Sequence, residues 1–245
     1  VGLWCPVLSE RGELMYADQV IKMAELVQHM VYTEEEKAQW AKVIKEFNAL
    51  WYEMYKQTWG VMTWRGVRVL KPATDLWVYQ ELIAEIKPDL IIETGTWHGG
   101  SALFMRDILD LEYPSGEIIS IDIRPEEIME KAKTKGITFW AGSSVDPVTV
   151  AMVKEHIRPD SRVMVILDSD HEREHVLKEI ELYAPLVTIG SILIIEDGNN
   201  HAGVKAAISE FAIDPILNGK RFRKNLMCEK YMLTFNRDGF WEREK

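Results

Sequence analysis

The chain has 245 residues, 47% apolar and 28% charged, and a formal net charge of −10. That length and balance suit one sizeable domain with an appendage, able to bury a full core. The acidic balance argues against a nucleic-acid partner, which needs clustered Lys and Arg to neutralise phosphate. No apolar run reaches the roughly 18 residues of a membrane span. Cys5 and Cys228 lie far apart without metal spacing. The first residues also lack the basic-then-apolar layout of a secretory signal, so the expected setting is the reducing cytoplasm.

Residues 1–16 read as an arm. Val20, Met23, Ala24, Val27, Met30 and Val31 follow helical spacing. Thr33 with Glu36 three positions on is a capping-box signature for a second helix. Along that helix run Trp40, Val43, Ile44, Phe47, Leu50, Trp51, Met54 and Tyr55. Such a stripe reads as core or subunit contact; the alternative is that its aromatic end, with Trp59 and Trp64, overhangs a substrate pocket. Residues 1–70 are thus assigned to a helical appendage for self-association or pocket cover, and 71–245 to the main domain.

Thr58–Leu70 reads as a loop and short strand. Pro72, with Thr74 or Asp75 as N-cap, opens a helix over Leu76–Ile86 that Lys87-Pro88 ends. Leu90–Glu93 is a buried strand, broken by Gly95, Gly99 and Gly100 before an apolar helical pattern from Ala102. Glu117–Ile123 is the second strand, with a helix predicted from Pro125 to Gly136. Ile137–Ala141 is the third, followed by Gly142-Ser143-Ser144 and a helix capped by Asp146-Pro147. Val163–Leu167 is the fourth, with a helix over Glu174–Tyr183, and Gly190–Ile195 is the fifth, with a helix over Val204–Phe211. Arg221–Lys224 and Lys230–Asn236 are the predicted closing strands. Strands alternating with helices make a doubly wound, mostly parallel, Rossmann-like α/β sheet, to which the closing strands add an antiparallel edge.

In such sheets ligands bind at the carboxyl ends of the strands. Those ends read Glu93, Asp122, Gly142-Ser143, Asp168 and Glu196-Asp197. Clustered carboxylates repel and are costly to bury unpaired, so a positive group is expected among them. A dinucleotide fits poorly, because Trp97 stands where the G-x-G-x-x-G fingerprint needs its second glycine, and no P-loop lysine follows. A ligand with a ribose, a positive charge and no phosphate fits better. S-adenosylmethionine has these features, with Asp122 suited to its ribose and Gly142, Ser143 and Ser144 to its adenine edge. Asp168, Glu196 and Asp197 end neighbouring strands, and an all-oxygen set selects Mg²⁺, Mn²⁺ or Ca²⁺. His171, three residues past Asp168, is a candidate general base; a surface-helix histidine is the other reading. His98, His175 and His201 carry weaker claims. A facial triad of two histidines and a carboxylate is not evident.

Four stretches resemble the cephalosporin hydroxylase/rhamnosyl O-methyltransferase family. They are Leu70-Lys-Pro-Ala-Thr-Asp-Leu-Trp-Val-Tyr-Gln-Glu81, Pro88-Asp-Leu-Ile-Ile-Glu-Thr-Gly-Thr-Trp-His-Gly-Gly-Ser-Ala102, Ile166-Leu-Asp-Ser-Asp-His171 and Leu186-Val-Thr-Ile-Gly-Ser-Ile-Leu-Ile-Ile-Glu-Asp197. Glu229-Lys-Tyr-Met-Leu-Thr-Phe-Asn236 looks like that family's closing strand, and the likeness covers roughly residues 45–240. The strand tips are more distantly similar to catechol-type cation-dependent O-methyltransferases. The resemblance implies a class I methyltransferase fold using S-adenosylmethionine. It places Glu93, Gly95, Thr96, Trp97 and Ser101 around the methionine part, Asp122 on the ribose and Ser143 near the adenine. It makes Asp168, Glu196 and Asp197 the metal ligands, with Asp168 also beside cofactor and chemistry. His171 falls at the catechol-type catalytic lysine, so its role as base is one of position. The short Gly198-Asn-Asn-His-Ala-Gly203 departs from the family's longer segment, so the acceptor does not carry over.

The expected function is Mg²⁺-dependent O-methyl transfer to a hydroxyl of a small molecule, a sugar or secondary metabolite. Self-association through the N-terminal helices and no membrane partner are expected with it. The rivals are a hydroxylase-type tailoring enzyme of natural-product biosynthesis on the same fold and a cofactor-binding, non-catalytic assembly protein.

Overall fold

The computed structural model describes residues 33–245. The helix expected over residues 20–31, and Cys5, lie outside the described residues. The chain divides into two compact units, Val1–Lys45 and Glu46–Lys245. Helix α1 (Glu34–Glu53) runs from the first into the second. Its start is the capping box read from the sequence: the Glu36 N–H donates to Thr33 Oγ1 (3.2 Å), and the Thr33 N–H donates to the Glu36 carboxylate (2.8 Å).

The α1 stripe is not core. Phe47, Leu50, Met54 and Tyr55 are exposed, and the inward position is held by Asn48, 3% exposed. Asn48 turns inward because its amide serves the backbone of one segment of its own unit, residues 232–234. It donates to Met232 O (2.8 Å) and accepts from the Thr234 N–H (3.1 Å).

The second unit is built on an eight-stranded sheet. A short hairpin, β1 (Thr63–Trp64) and β2 (Val67–Arg68), precedes α2 (Ala73–Ile86). Then follow β3 (Leu90–Thr94), α3 (Gly100–Glu112), β4 (Glu117–Asp122), β5 (Ile137–Ala141), α4 (Pro147–His156), β6 (Val163–Leu167) and α5 (Arg173–Tyr183). The chain closes with β7 (Ile192–Ile195), α6 (Ala202–Phe211), β8 (Ile216–Leu217), β9 (Lys220–Lys224) and β10 (Phe240–Arg243). The order across the sheet is β5-β4-β3-β6-β7-β10-β9-β8. From β5 to β7 all pairs are parallel, and β10, β9 and β8 join antiparallel. No helix of the described residues is long and apolar enough to cross a membrane.

Period-two alternation along the strands sends residues to opposite faces. On β3, Ile91 packs with α2 and α3 in one core layer, while Leu90 and Ile92 join the α4, α5 and α6 layer on the other face. Register makes the strand ends level: Thr94 pairs with Ile121 and Leu167, and Leu167 pairs with Ile195. The next residues, Gly95, Asp122, Asp168 and Glu196, therefore emerge along one edge. β3 and β6 are neighbours although β4 and β5 lie between them in sequence, which makes this the topological switch point where such sheets bind ligands.

Three local expectations need correction. The helix predicted from Pro125 to Gly136 is two 3₁₀ turns, Pro125–Glu127 and Glu130–Ala132. Among the described side chains there, Ile128 and Ala132 are the buried apolar ones, too few to hold a helical stripe on the sheet. Lys230–Asn236 is not a strand; Phe240–Arg243 takes that place against β7. Backbone groups of the earlier segment go to other partners: the Thr234 N–H to Asn48, the Phe235 N–H to Asp75 Oδ2 (2.9 Å), and Phe235 O to the Asn199 N–H (3.0 Å). Neither Thr74 nor Asp75 caps α2. Pro72 is its N-cap residue, and Asp75 is buried in the first turn as the acceptor for Phe235.

Burial raises the Asp75 carboxyl to about 7, against the hydrogen bonds from residues 234 and 235 and the charge of Lys71. The unfolded chain loses that proton near pH 4. Between the two values the folded state holds more protons, so this group costs stability as pH rises from about 4 to 7. Asp75→Asn is expected to remove that slope. The fall in urea unfolding free energy between pH 5 and pH 8 should shrink by on the order of 2 kcal/mol; an unchanged slope would contradict the assignment.

Candidate functional site

The turn after β3 is built by conformation as much as by side chains. Gly95 has φ +84, and a Cβ there would sit 1.8 Å from the Asp168 carbonyl oxygen. Only glycine allows the ends of β3 and β6 to approach so closely. Trp97 also has positive φ (44°). Its N–H donates to Asp122 Oδ2 (2.7 Å), and its indole lies 3.8 Å from the His98 ring. The second Asp122 oxygen accepts from the Arg124 N–H (2.8 Å), so β4's terminal acid holds both loops.

Glu93 is wholly buried. Ser101 Oγ donates to one of its oxygens and Ser120 Oγ to the other (2.5 Å). Burial lifts its carboxyl to about 6, against the charge of Lys71 and those two hydroxyls. It does not line the cavity; it anchors Ser101, which does. Thr96 is buried, with Oγ1 2.6 Å from Ser120 Oγ.

Two cavities meet at this edge. One of about 410 Å³ is lined by Gly95, Thr96, Trp97, Ser101 and Asp122, and by Asp168, His171, Asp197 and His201. The other, of about 480 Å³, contains Gly142, Ser143 and Ser144, and shares Gly95, Asp122, Arg124 and Ser169 with the first. Ser144 Oγ lies 3.2 Å from His175 Nε2, and the Tyr183 hydroxyl donates to Ser144 O (2.6 Å), which fixes the wall after β5.

The first cavity also has an aromatic wall. The Tyr52 ring stacks on Trp59 (5.1 Å, 20°), and Phe235 meets both edge-on. Tyr52 Oη lies 3.4 Å from His201 Nε2, so this wall abuts the histidine corner. Trp64, the other aromatic expected near the pocket, packs on Phe104 and donates to Asp107 instead (2.7 Å).

The three acids expected to converge divide into two arrangements. Lys71, 3% exposed, donates to Asp168 Oδ2 and to Glu196 Oε1, both at 2.6 Å. The Tyr79 hydroxyl donates to the same Glu196 oxygen. Burial opposes a charge on Lys71, but Asp168 and Glu196 outweigh it and hold the ammonium protonated. Desolvation also opposes the Asp168 charge, yet Lys71 and His171 keep that carboxyl below its ordinary range. Glu196 is pushed up by burial and by Asp168. One ammonium between two buried carboxylates fully compensates only one of them, and the deeper acid shows it.

On the other side of Asp168, His171 Nε2 lies 3.9 Å from Asp168 Oδ1 and 3.1 Å from Asp197 Oδ2. Both contacts are ion pairs; the ring geometry completes no hydrogen bond, so this buried nitrogen has its hydrogen-bonding capacity unspent. Asp168 and Asp197 raise the imidazole to about 10 despite desolvation. His171, Asp197 and His201 each offer a ligand atom, all within 4.8 Å of one another. The two-histidine, one-carboxylate set not evident in the sequence is thus present in space.

The donor set fits a divalent cation at this corner, where Asp168 and Asp197 present carboxylates around an orphaned imidazole nitrogen; Glu196 faces away, towards Lys71. The turn at Gly95 and the Asp122 carboxylate fit a nucleoside at the shared rim. Lys71, Tyr79, Tyr52 and Phe235 were not singled out from the sequence. The only signal for Lys71 was the demand for a positive group among the acids.

The model of the rhamnosyl O-methyltransferase/CmcI family matches residues 56–244. The chain belongs to that family. A rhamnosyl O-methyltransferase of Mycobacterium leprae (strain TN) is 31% identical over 183 residues, covering 74% of this chain and 77% of that protein. The Mycobacterium tuberculosis (strain ATCC 25618 / H37Rv) enzyme of the same name is 31% identical over 160 residues, 64% of each. Among solved structures, the apo form of CmcI-N160 superposes with a TM-score of 0.59 at 22% identity, covering 75% of this chain and 76% of that one. The Mg-SAM form of CmcI-D160 gives 0.56 at 22% identity, covering 75% and 77%. At that identity these two show the fold, a mostly parallel class I methyltransferase sheet. By family and fold the chain is an S-adenosylmethionine-dependent O-methyltransferase.

Proposed function

We propose that the chain transfers the methyl group of S-adenosylmethionine to a hydroxyl of a glycoside or similar polyhydroxylated small molecule, assisted by a divalent cation at Asp168 and Asp197. The observation that carries this reading is the buried His171 Nε2, hydrogen-bonded to no described residue and held between those carboxylates next to an aromatic wall. The C–H face of a sugar ring suits Tyr52, Trp59 and Phe235, and its hydroxyls suit the polar corner beside them. The rhamnosyl name of the mycobacterial relatives agrees with that chemistry. In the cofactor's place, Asp122 would take the ribose, Ser143 and Ser144 the adenine side, and Thr96, Trp97 and Ser101 the methionine part, with Glu93 acting through Ser101.

In the proposed reaction His171 Nε2 accepts the acceptor hydroxyl's proton as that oxygen attacks the methyl carbon. The carbon–sulfur bond breaks with its electron pair going to sulfur, leaving a neutral thioether and a protonated imidazole. The cavity's contribution is to hold oxygen, methyl and sulfur in line. Left alone with two carboxylates, His171 stays protonated up to about pH 10 and accepts no proton at neutral pH. Asp168 and Asp197 would hold a divalent ion, whose charge would compensate theirs and leave the imidazole free to take a proton, and which would supply Lewis-acid polarisation of the acceptor oxygen.

Calorimetry with S-adenosylhomocysteine tests the cofactor half. Wild-type protein should bind it, and Asp122→Ala should bind at least tenfold more weakly, since removing the carboxylate frees the Trp97 and Arg124 amides it holds. No heat at millimolar ligand would sink the assignment. Methyl transfer to rhamnosides and other glycosides, read by mass with Mg²⁺ and with chelator, tests the acceptor and the ion.

A further inference from the structure

We propose that Ser144 reads the cofactor's purine by donating its hydroxyl proton to a ring nitrogen, and that His175 and Glu179 are the positioning residues that fix this polarity. The inference rests on the reading that puts the adenine beside Ser143 and Ser144, and it names the hydrogen-bond chemistry selected there.

Helix α5 turns three polar side chains towards the loops after β5 and β6. His175, Glu179 and Tyr183 are spaced by four and share one face of that helix. The Tyr183 hydroxyl donates to Ser144 O (2.6 Å), which holds the backbone of the loop after β5. Glu179, 1% exposed, accepts from Ser169 Oγ (2.7 Å), on the residue that follows Asp168. His175 Nε2 bridges the two loops, 3.2 Å from Ser144 Oγ and 3.1 Å from Ser169 Oγ. Ser144, Ser169 and His175 all line the second cavity.

Each hydroxyl has one proton to donate. Ser169 gives its proton to Glu179, a buried carboxylate that is costly to leave without donors. The Ser169 oxygen therefore only accepts on the side of His175, so Nε2 carries a hydrogen. A protonated Nε2 cannot accept from Ser144 either. Among the described residues the Ser144 proton is left with Ser169 Oγ at a long 3.5 Å, which frees it for a ligand in the cavity. Glu179 raises the imidazole above the ordinary histidine range, against desolvation, and the charge of Asp170 adds to this. The imidazolium and the neutral Nε2–H tautomer both keep the donor in place, so the polarity survives titration of His175.

An adenine offers its ring nitrogens as acceptors, whereas its amino group offers hydrogens. A hydroxyl fixed as a donor thus selects a ring nitrogen.

Calorimetry on the full chain with S-adenosylhomocysteine and its 1-deaza, 3-deaza and 7-deaza analogues tests the contact. One analogue should bind wild-type protein about three- to tenfold more weakly than the parent, the scale of one net hydrogen bond. Ser144→Ala should weaken the parent by the same factor and erase that difference. Long-range proton–nitrogen NMR spectra should show His175 as the imidazolium or the Nε2–H tautomer at every pH. Glu179→Gln should admit the Nδ1–H tautomer, because its amide can donate to Ser169 and reverse the chain of donors. An Nδ1–H tautomer in wild-type protein overturns the proposal, as does a Glu179→Gln spectrum without one. So does binding of all three analogues within about twofold of the parent, below the scale of a hydrogen bond, or a loss that persists in Ser144→Ala. The amide shifts of Ser143 and Ser144 on adding S-adenosylhomocysteine separate these failures from a failure of the adenine placement. Shifts that move leave the placement standing, and shifts that stay unmoved overturn both.

Discussion

Lys71→Met should lose about 3–5 kcal/mol of folding stability, the range for breaking a buried ion pair by removing one partner. The ammonium is 3% exposed and sits 2.6 Å from a carboxylate oxygen of Asp168 and of Glu196. Methionine fills nearly the same volume, so the loss comes from charge rather than from a cavity. Two like charges are then left side by side, that of Glu196 buried, and one must protonate or move. Glu196 already bears the greater strain, being pushed up by burial and by Asp168, and it is the acid expected to take the proton. The double variant Lys71→Met with Glu196→Gln should therefore recover more than half of the loss, because it removes the surplus carboxylate while keeping its shape. Urea unfolding of the three proteins at pH 7 measures both effects. A single-variant loss below about 1 kcal/mol, the scale of an exposed pair, would show that Lys71 does not neutralise the pair.

Lys71 also marks how far the sequence could be read. Strand ends were legible because a buried parallel strand is a continuous apolar run, and the acid after each run stands out against it. Register then did the rest: residues following Thr94, Ile121, Leu167 and Ile195 had to emerge on one edge. The need for a cation among those acids followed from electrostatics, whereas its identity did not. Lys71 is 97 residues from Asp168 and 125 from Glu196, in a loop with no periodicity to place it. A cationic cofactor or a metal answers that need, and so does Lys71, the chain's own cation between two of the acids.

The failure at Lys230–Asn236 has a similar origin. Its apolar residues fit a strand, but two side chains from distant helices, Asn48 and Asp75, capture its amides. Strand pairing depends on which acceptor reaches the backbone first, and that is a tertiary property. Capture of this segment places Phe235 against Tyr52 and Trp59, so the aromatic wall exists because the strand does not.

His171→Gln is expected to lower kcat by about 10²–10⁴, the contribution of a positioned general base. S-adenosylhomocysteine affinity should stay within about threefold of wild type, since the residues at the shared rim and beyond it are untouched. Glutamine preserves approximate size and polarity but accepts no proton at working pH. A purely structural histidine would disturb binding and rate together, whereas a base affects the step in which the proton leaves the acceptor. Asp168→Asn is the comparison that separates proton transfer from site assembly. Asp168 faces Lys71 on one side and His171 on the other. Its loss should disturb folding stability, ion binding and rate at once. Steady-state kinetics at saturating cofactor, with calorimetry on the same preparations, distinguishes the two patterns. A His171→Gln rate within tenfold of wild type would move the base elsewhere, and His201, whose ring lies 3.9 Å away, is then the group to test next.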